Sequence, residues 1–140
     1  MKVLNYLTLV CLLPLFFSCE SEEYDERGAE EKQLAKLYGE IETLSKQEPC
    51  EDAVEWSYTE IGSKPCGGPS GYIAYSNRID TEYFLERVAL YTTLQDEFNK
   101  KWGVNSDCAV EPAPIGVECV DGEAQLIYKG LEPPLESSSD

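Results

Sequence analysis

Four cysteines between residues 50 and 119 place the strongest constraint on how this chain can fold. They are Cys50, Cys66, Cys108 and Cys119, and their spacings of 16, 42 and 11 residues contain no Cys-x-x-Cys pair of the kind common in zinc sites. The chain of 140 residues has room for one domain and contains no histidine. The cysteines therefore predict two disulfides in a small domain, and no metal site.

The pairing of these four cysteines has three possible arrangements. We favour Cys50 with Cys66 and Cys108 with Cys119, because each of these bonds closes a short local loop. The two other arrangements stay open at this stage. In the chain-entropy description, each of the short loops closed by the favoured bonds contributes roughly 3 kcal/mol of stability.

The first 19 residues have the features of an export signal. Lys2 gives a positive start, and residues 3–17 form an almost wholly apolar run that is too short to cross a bilayer comfortably. The run ends in Leu15-Phe16-Phe17-Ser18-Cys19. This ending resembles the lipobox of bacterial lipoproteins, although Phe16 stands where that family prefers leucine.

The resemblance to lipoproteins implies cleavage between Ser18 and Cys19 and acylation of Cys19. The membrane is then a partner through the acyl chains, since two or three chains anchor a protein stably. The alternative is an ordinary signal peptide in which Cys19 has no role. Cys11 lies inside the apolar run and is removed in both cases.

An acidic stretch follows Cys19 and is predicted to be a solvated tether over residues 19–28. Within it, Ser21-Glu22-Glu23 looks like the acidic export signal of some surface-displayed lipoproteins. Glu20 stands where aspartate is associated with retention at the inner membrane. These residues predict attachment to the outer membrane, with display at the cell surface as a further expectation.

The net charge and the missing histidines exclude several classes of function. A formal charge of −16 repels a phosphate backbone, so no nucleic acid partner is expected. Without histidine the chain cannot form a Ser-His-Asp or Cys-His catalytic site. Carboxylates are plentiful, but their spacing singles out no acid–base pair, and no phosphate loop or dinucleotide motif is present. We expect neither a cofactor nor an enzyme.

Helical periodicity appears in two segments. The first is predicted over residues 29–46, and the second begins at Asp80 or Thr81 and ends before Gly103. The apolar positions that form one stripe on each helix are Leu34, Leu37, Ile41 and Leu44 in the first, and Phe84, Val88, Tyr91, Phe98 and Trp102 in the second. Stripes of this kind are usually core.

Strand patterns occupy the remaining regular segments. The residues Ala53–Ile61 alternate with Val54, Trp56 and Tyr58 on one face, and Tyr72–Ser76 form a short second strand. Asp121-Gly122 favours a type I′ hairpin turn. That turn predicts the pairs Val120–Glu123, Cys119–Ala124, Val117–Leu126 and Ile115–Tyr128. The expected fold is a small α+β domain over residues 29–130, followed by a disordered tail over 131–140.

The segment GSKPCGGPSGYIAYS is a candidate recognition loop. It resembles a segment of exported bacterial proteins with no assigned activity. Gly67 and Gly68 permit positive φ, whereas the prolines and the disulfide stiffen the loop, with Lys64 projecting and Tyr72 or Tyr75 beside it. The simpler interpretation is a tight connection between strands.

The function that these features favour is a lipid-anchored, non-enzymatic module that binds a protein or a glycan. The alternative is an inhibitor of an exported hydrolase that acts through the loop from Lys64 to Tyr72, since a stiff loop loses little entropy on binding. Both hypotheses place the domain outside the inner membrane.

Overall fold

Helices and strand pairs alternate along the chain in the computed structural model, which describes residues 22–130. Helix α1 runs over Glu22–Ser45 and helix α2 over Thr81–Trp102. The strands are β1 over Trp56–Ile61, β2 over Gly71–Ser76, β3 over Gly116–Val120 and β4 over Glu123–Ile127. The expected α+β fold of a small single domain with two disulfides is confirmed. The predicted signal peptide, Cys19 and the tail over 131–140 lie outside the described residues.

Two antiparallel strand pairs, β1–β2 and β3–β4, form separate two-stranded sheets. Because opposite residues share a face, Ile61, Ile73 and Tyr75 lie together on the side of β1–β2 that faces the helices. There they pack with Phe84 and Ile41, both fully buried. The core therefore lies between the two helices and one face of the first sheet, and the β3–β4 hairpin contacts the same sheet through β1·β3 and β2·β4 contacts.

Helix α1 begins at Glu22, so it includes residues that the sequence assigned to a solvated tether. Its N-terminal half packs along the C-terminal half of α2. Lys101 Nζ lies 2.6 Å from both Glu26 Oε1 and Glu30 Oε1, and Trp102 Nε1 donates to Glu30 Oε2 at 2.7 Å. The stripe of Leu37 and Ile41 is confirmed, but the docking of residues 26–30 uses charged and aromatic pairs that apolar periodicity does not reveal.

Helix α2 has the boundaries that its capping residues predict. The Asp80 carboxylate accepts a hydrogen bond from the Tyr83 N–H, and Gly103 ends the helix with a φ of 59°. Phe84 and Val88 of the predicted stripe are buried, whereas Phe98 and Trp102 are half-buried against α1. None of the helices within residues 22–130 is both long and apolar enough to cross a membrane.

The prediction that the first strand includes Val54 is wrong. Ala53–Glu55 form a 3-10 turn whose N-terminal N–H groups are capped by Asp52, and Val54 is 85% exposed. The Asp52 carboxylate accepts from the Val54 N–H at 3.0 Å, which diverts the backbone from the extended conformation. The strand itself begins at Trp56.

The hairpin at Asp121-Gly122 has the predicted register from Val120–Glu123 to Val117–Leu126. Both turn residues have positive φ, 52° and 83°, as a type I′ turn requires. The ladder ends at Gly116–Ile127, so the predicted pair of Ile115 with Tyr128 falls outside it. Ile115 is 64% exposed.

The favoured disulfide pairing is wrong. The bonds join Cys50 to Cys119 and Cys66 to Cys108, with Cα–Cα distances of 5.3 and 5.5 Å. The hairpin folds back onto the segment between α1 and β1, where the Cys50 N–H donates to the Gly122 carbonyl at 2.8 Å. Proximity along the chain therefore does not decide the pairing, because the packing of β3–β4 on β1–β2 does.

Candidate functional site

The loop from Lys64 to Tyr72 does not present Lys64 as a free basic side chain. Lys64 Nζ donates to the Ala109 carbonyl at 2.6 Å and to Glu111 Oε1 at 2.7 Å. The Lys64 side chain is only 14% exposed. The expectation that Lys64 projects is therefore wrong, because the segment between α2 and β3 covers it and is held there by the Cys66–Cys108 bond.

The other residues of the candidate recognition loop separate into three places. Gly67 and Gly68 have the expected positive φ of 92° and 83° at the exposed tip. Tyr75 packs into the core, with its ring centroid 4.8 Å from that of Phe84. Tyr72 lies on the opposite face of the sheet from Tyr75, so the two tyrosines do not flank one binding surface.

Polar side chains of α2 fix the beginning of this loop. The Gly62 N–H donates to Thr92 Oγ1 at 2.9 Å, and the Ser63 N–H donates to Gln95 Oε1 at 2.7 Å. Asn99 Nδ2, on a buried side chain, donates to the Ser63 carbonyl at 2.8 Å. These bonds replace ladder hydrogen bonds where β1 ends, so the loop is a structural connection tied to α2.

A cleft of about 840 Å³ lies along β2 and β4, and we call it the edge cleft. Its three walls are the end of α1 with the following residues 46–49, the strand residues Tyr72, Ile73 and Ala74, and the hairpin residues 122–126 with Tyr128. Its volume falls within the range of about 300–1,000 Å³ that is typical of small-ligand sites. The edge cleft is therefore the candidate functional site of this domain.

Four aromatic side chains line the edge cleft, those of Tyr38, Trp56, Tyr72 and Tyr128. The ring of Tyr72 packs edge to face against that of Tyr58, with 6.3 Å between the ring centroids, and the centroids of Tyr38 and Tyr91 are 5.3 Å apart. Neighbouring rings therefore hold Tyr72 and Tyr38 in position in the cleft. Trp56 also lines the cleft and is 8% exposed. The Trp56 Nε1–H is buried and has no hydrogen-bond partner within residues 22–130. An unpaired buried donor of this kind costs roughly 1–3 kcal/mol.

The edge cleft is negatively charged. Its charged lining residues are Glu42, Glu48, Glu123 and Lys46, and Arg78 Nη2 lies 3.4 Å from Glu48 Oε2. Burial, and then the negative charge of Glu60, raises the pKa of the Tyr72 phenol above its usual value. Burial and Glu42 raise the pKa of Tyr38 in the same way. The phenols therefore stay protonated and can donate hydrogen bonds across the physiological range.

Within residues 22–130, no group of three or more His, Cys, Asp or Glu side chains could hold a metal ion. The chemistry that the edge cleft offers consists of aromatic faces, phenolic hydroxyls, amides and carboxylates. Groups of this kind can bind and orient a ligand.

Comparison with protein-family models, with curated proteins and with solved structures gave no match to this chain.

The edge cleft was not predicted from the sequence. The sequence indicates Tyr72 as a neighbour of Lys64 and Trp56 as a residue on one face of a strand, and it does not indicate that the two line one cleft. Residues from α1, β1, β2 and β4 line the cleft, so its position depends on how the two sheets stack. The one local signal was the unusual tyrosine content of the segment YIAYS.

Proposed function

We propose that this chain is a lipid-anchored, non-enzymatic binding module of the bacterial outer membrane, and that the edge cleft is its ligand site. The observation that carries the proposal is the cleft of about 840 Å³ with aromatic walls and a carboxylate rim. Two disulfides indicate an oxidising, exported environment. The resemblance of Leu15–Cys19 to a lipobox supports attachment through Cys19.

The direction of α1 supports display of the cleft away from the anchor. Helix α1 begins at Glu22, three residues after Cys19, and its 24 residues extend about 36 Å. Ser45, at its far end, lines the edge cleft. An acyl anchor at Cys19 would therefore hold the ligand site at the opposite end of this helix from the membrane attachment.

Replacing Cys19 by serine tests the anchor. We expect the Cys19→Ser variant to disappear from the outer-membrane fraction, because serine cannot accept the diacylglycerol. Wild-type protein extracted from its own membranes should begin at Cys19 and carry the mass of two or three acyl chains, less four hydrogens for the two disulfides. The matched control is Cys11→Ser, which changes a cysteine inside the apolar run and should leave fractionation unchanged. An unacylated wild-type mass would overturn the lipid anchor.

Trp56 fluorescence tests binding in the edge cleft. Trp56 and Trp102 are the two tryptophans of the chain, so a Trp102→Phe variant reports on the cleft alone. We expect its emission to shift when a capped peptide or a neutral oligosaccharide from a test panel occupies the cleft. In the control, Trp56→Phe, the remaining Trp102 lies beside Glu30 and should not respond. Unchanged Trp56 emission with every probe would contradict a ligand site in this cleft.

A further inference from the structure

Strand β2 has a free edge that faces the edge cleft. Its sheet has two strands, so β1 occupies one side of β2 and no strand of residues 22–130 pairs with the other. The Asn77 N–H donates to the Glu55 carbonyl at 2.7 Å, so these two residues form a hydrogen-bonded pair of the ladder. In an antiparallel ladder, every second residue of a strand directs its N–H and C=O groups to the same neighbour. Tyr75 and Ile73 then direct their backbone groups to β1, whereas Tyr72 and Ala74 direct theirs outward.

The outward backbone groups of β2 lie next to empty space. Tyr72 and Ala74 both line the edge cleft. Among the described residues, backbone hydrogen bonds outside the helices and ladders do not include those of Tyr72 or Ala74. Two N–H donors and two carbonyl acceptors are thus available in a row along the cleft wall.

The composition of β2 does not protect this edge. Natural sheets usually block their edges with charged side chains, with proline or with a covering element. The six residues GYIAYS contain no charge and no proline, and they include residue types that favour strands. A strand of this length offers an edge of about 20 Å for pairing. An uncovered edge of this kind beside a cleft is typical of proteins that bind an extended peptide by adding it to a sheet.

Charge selects the kind of peptide. Glu42, Glu48 and Glu123 line the cleft with one basic residue, Lys46. Because Arg78 lies 3.4 Å from Glu48, one carboxylate remains in excess at the cleft, and the whole chain has a formal charge of −16. Lysine and arginine side chains also bind to the faces of aromatic rings, which the tyrosines of the cleft supply. Acidic segments are repelled by the same groups.

We infer that the edge cleft takes an extended, basic segment of another polypeptide, which adds to β2 as a third strand. This inference rests on the proposed function and names its ligand class. The outward groups of Tyr72 and Ala74 form the strand hydrogen bonds, and the carboxylates and rings of the cleft bind the lysine or arginine side chains.

Charge disfavours two other occupants of the β2 edge. A second copy of this chain carries the same formal net charge of −16, so two copies repel each other. Residues 131–140 of this chain carry three carboxylates and no basic residue, and Pro133 and Pro134 lack the N–H groups that a ladder needs. A basic segment from a different protein meets neither obstacle.

Three capped nonapeptides test the inference with the mature full chain, purified in mild detergent with both disulfides oxidised. The first alternates valine with lysine, the second has glutamate in place of lysine, and the third is the lysine peptide N-methylated at alternate residues. We expect the lysine peptide to shift Trp56 emission in the Trp102→Phe background. We also expect about tenfold weaker binding on N-methylation, which removes strand hydrogen bonds without touching the protein, and weaker binding still for the glutamate peptide.

A substitution in β2 gives the matching test on the protein side. Ala74→Pro removes an outward N–H and leaves the bonds to β1, since edge strands tolerate proline at such positions. We expect about tenfold weaker binding of the lysine peptide to Ala74→Pro, because this variant has lost one of the outward N–H donors. The thermal unfolding midpoint checks that the variant folds. The N-methylated peptide keeps the test decisive where Ala74→Pro does not fold.

The possible outcomes separate this inference from the proposed function. Equal binding of the lysine and N-methylated peptides would overturn strand addition, and equal binding of the lysine and glutamate peptides would overturn the basic ligand class. A response of Trp56 to oligosaccharides but to none of the three peptides would also overturn the inference, and it would leave the proposed binding module standing. Concentration-dependent dimers that Ala74→Pro abolishes would identify a second copy as the occupant and overturn the inference.

Discussion

Replacing Cys50 and Cys119 together by alanine is expected to lower the free energy of unfolding by about 4 kcal/mol, because the bond closes a loop over a sequence separation of 69 residues. Cys50 is only 3% exposed, so packing of its sulfur is lost as well. Domains of this size have a total stability of about 5–15 kcal/mol. We therefore expect the double variant to be partly unfolded at about 37 °C, as measured by urea denaturation followed by circular dichroism.

The second disulfide provides the matched control. Cys66 and Cys108 have exposed side chains and are separated by 42 residues. Alanine at both positions removes a similar loop-closure term but no core packing, so its cost should be smaller than that of the first pair. If the Cys66/Cys108 double variant lost as much free energy of unfolding as the Cys50/Cys119 variant, or more, burial of the Cys50–Cys119 bond would not add to its stabilising effect. Peptide mapping without reduction should recover Cys50 joined to Cys119.

The disulfide pairing illustrates what the sequence could not supply. The presence of two bonds follows from four cysteines in an exported domain, but their connectivity depends on which segments meet in space. Cys50 lies against the Asp121-Gly122 turn, as its hydrogen bond to Gly122 shows. That contact joins segments 72 residues apart and has no local signature.

The sequence predicted correctly the elements that short-range interactions determine, namely the hairpin turn and the ends of α2. The hairpin register follows from the type I′ preference of Asp121-Gly122, and the limits of α2 follow from Asp80 and Gly103. The prediction that Val54 belongs to the first strand was wrong. The alternating pattern around Val54 matches a strand, but the Asp52 carboxylate accepts from the Val54 N–H and stabilises a 3-10 turn. The sequence did not predict that α1 begins as early as Glu22, because the first turns of this helix are stabilised by Lys101 and Trp102 of α2.

The candidate site was the least predictable part of the molecule. A lysine in a stiff loop suggests recognition, but Lys64 is paired with Glu111, 47 residues away. Trp56 and Tyr72 form part of a cleft only after the hairpin has packed on the first sheet. The free edge of β2 also depends on the sheet having two strands, which its own sequence does not reveal.

Replacing Phe84 by alanine is expected to lower the free energy of unfolding by about 3–5 kcal/mol. Phe84 is fully buried and packs with Leu37 and Ile41 of α1, with Ile61 of β1 and against the ring of Tyr75. Truncation removes the side chain at which both helices and the first sheet meet. A cavity remains, because other contacts hold these elements in place and prevent them from closing the space. Urea denaturation of the oxidised protein measures the loss.

The neighbouring residue Tyr83 supplies the control for Phe84. Tyr83 lies on the same turn of α2 but is 47% exposed, so alanine there should cost far less than at Phe84. Similar losses at the two positions would mean that helix propensity, and not core packing, governs the stability of α2. Because the core lies on the opposite face of β1–β2 from Tyr72 and Ala74, the folded fraction of Phe84→Ala should still bind a cleft ligand. Loss of binding by protein that remains folded would show that the core and the edge cleft are coupled through the sheet.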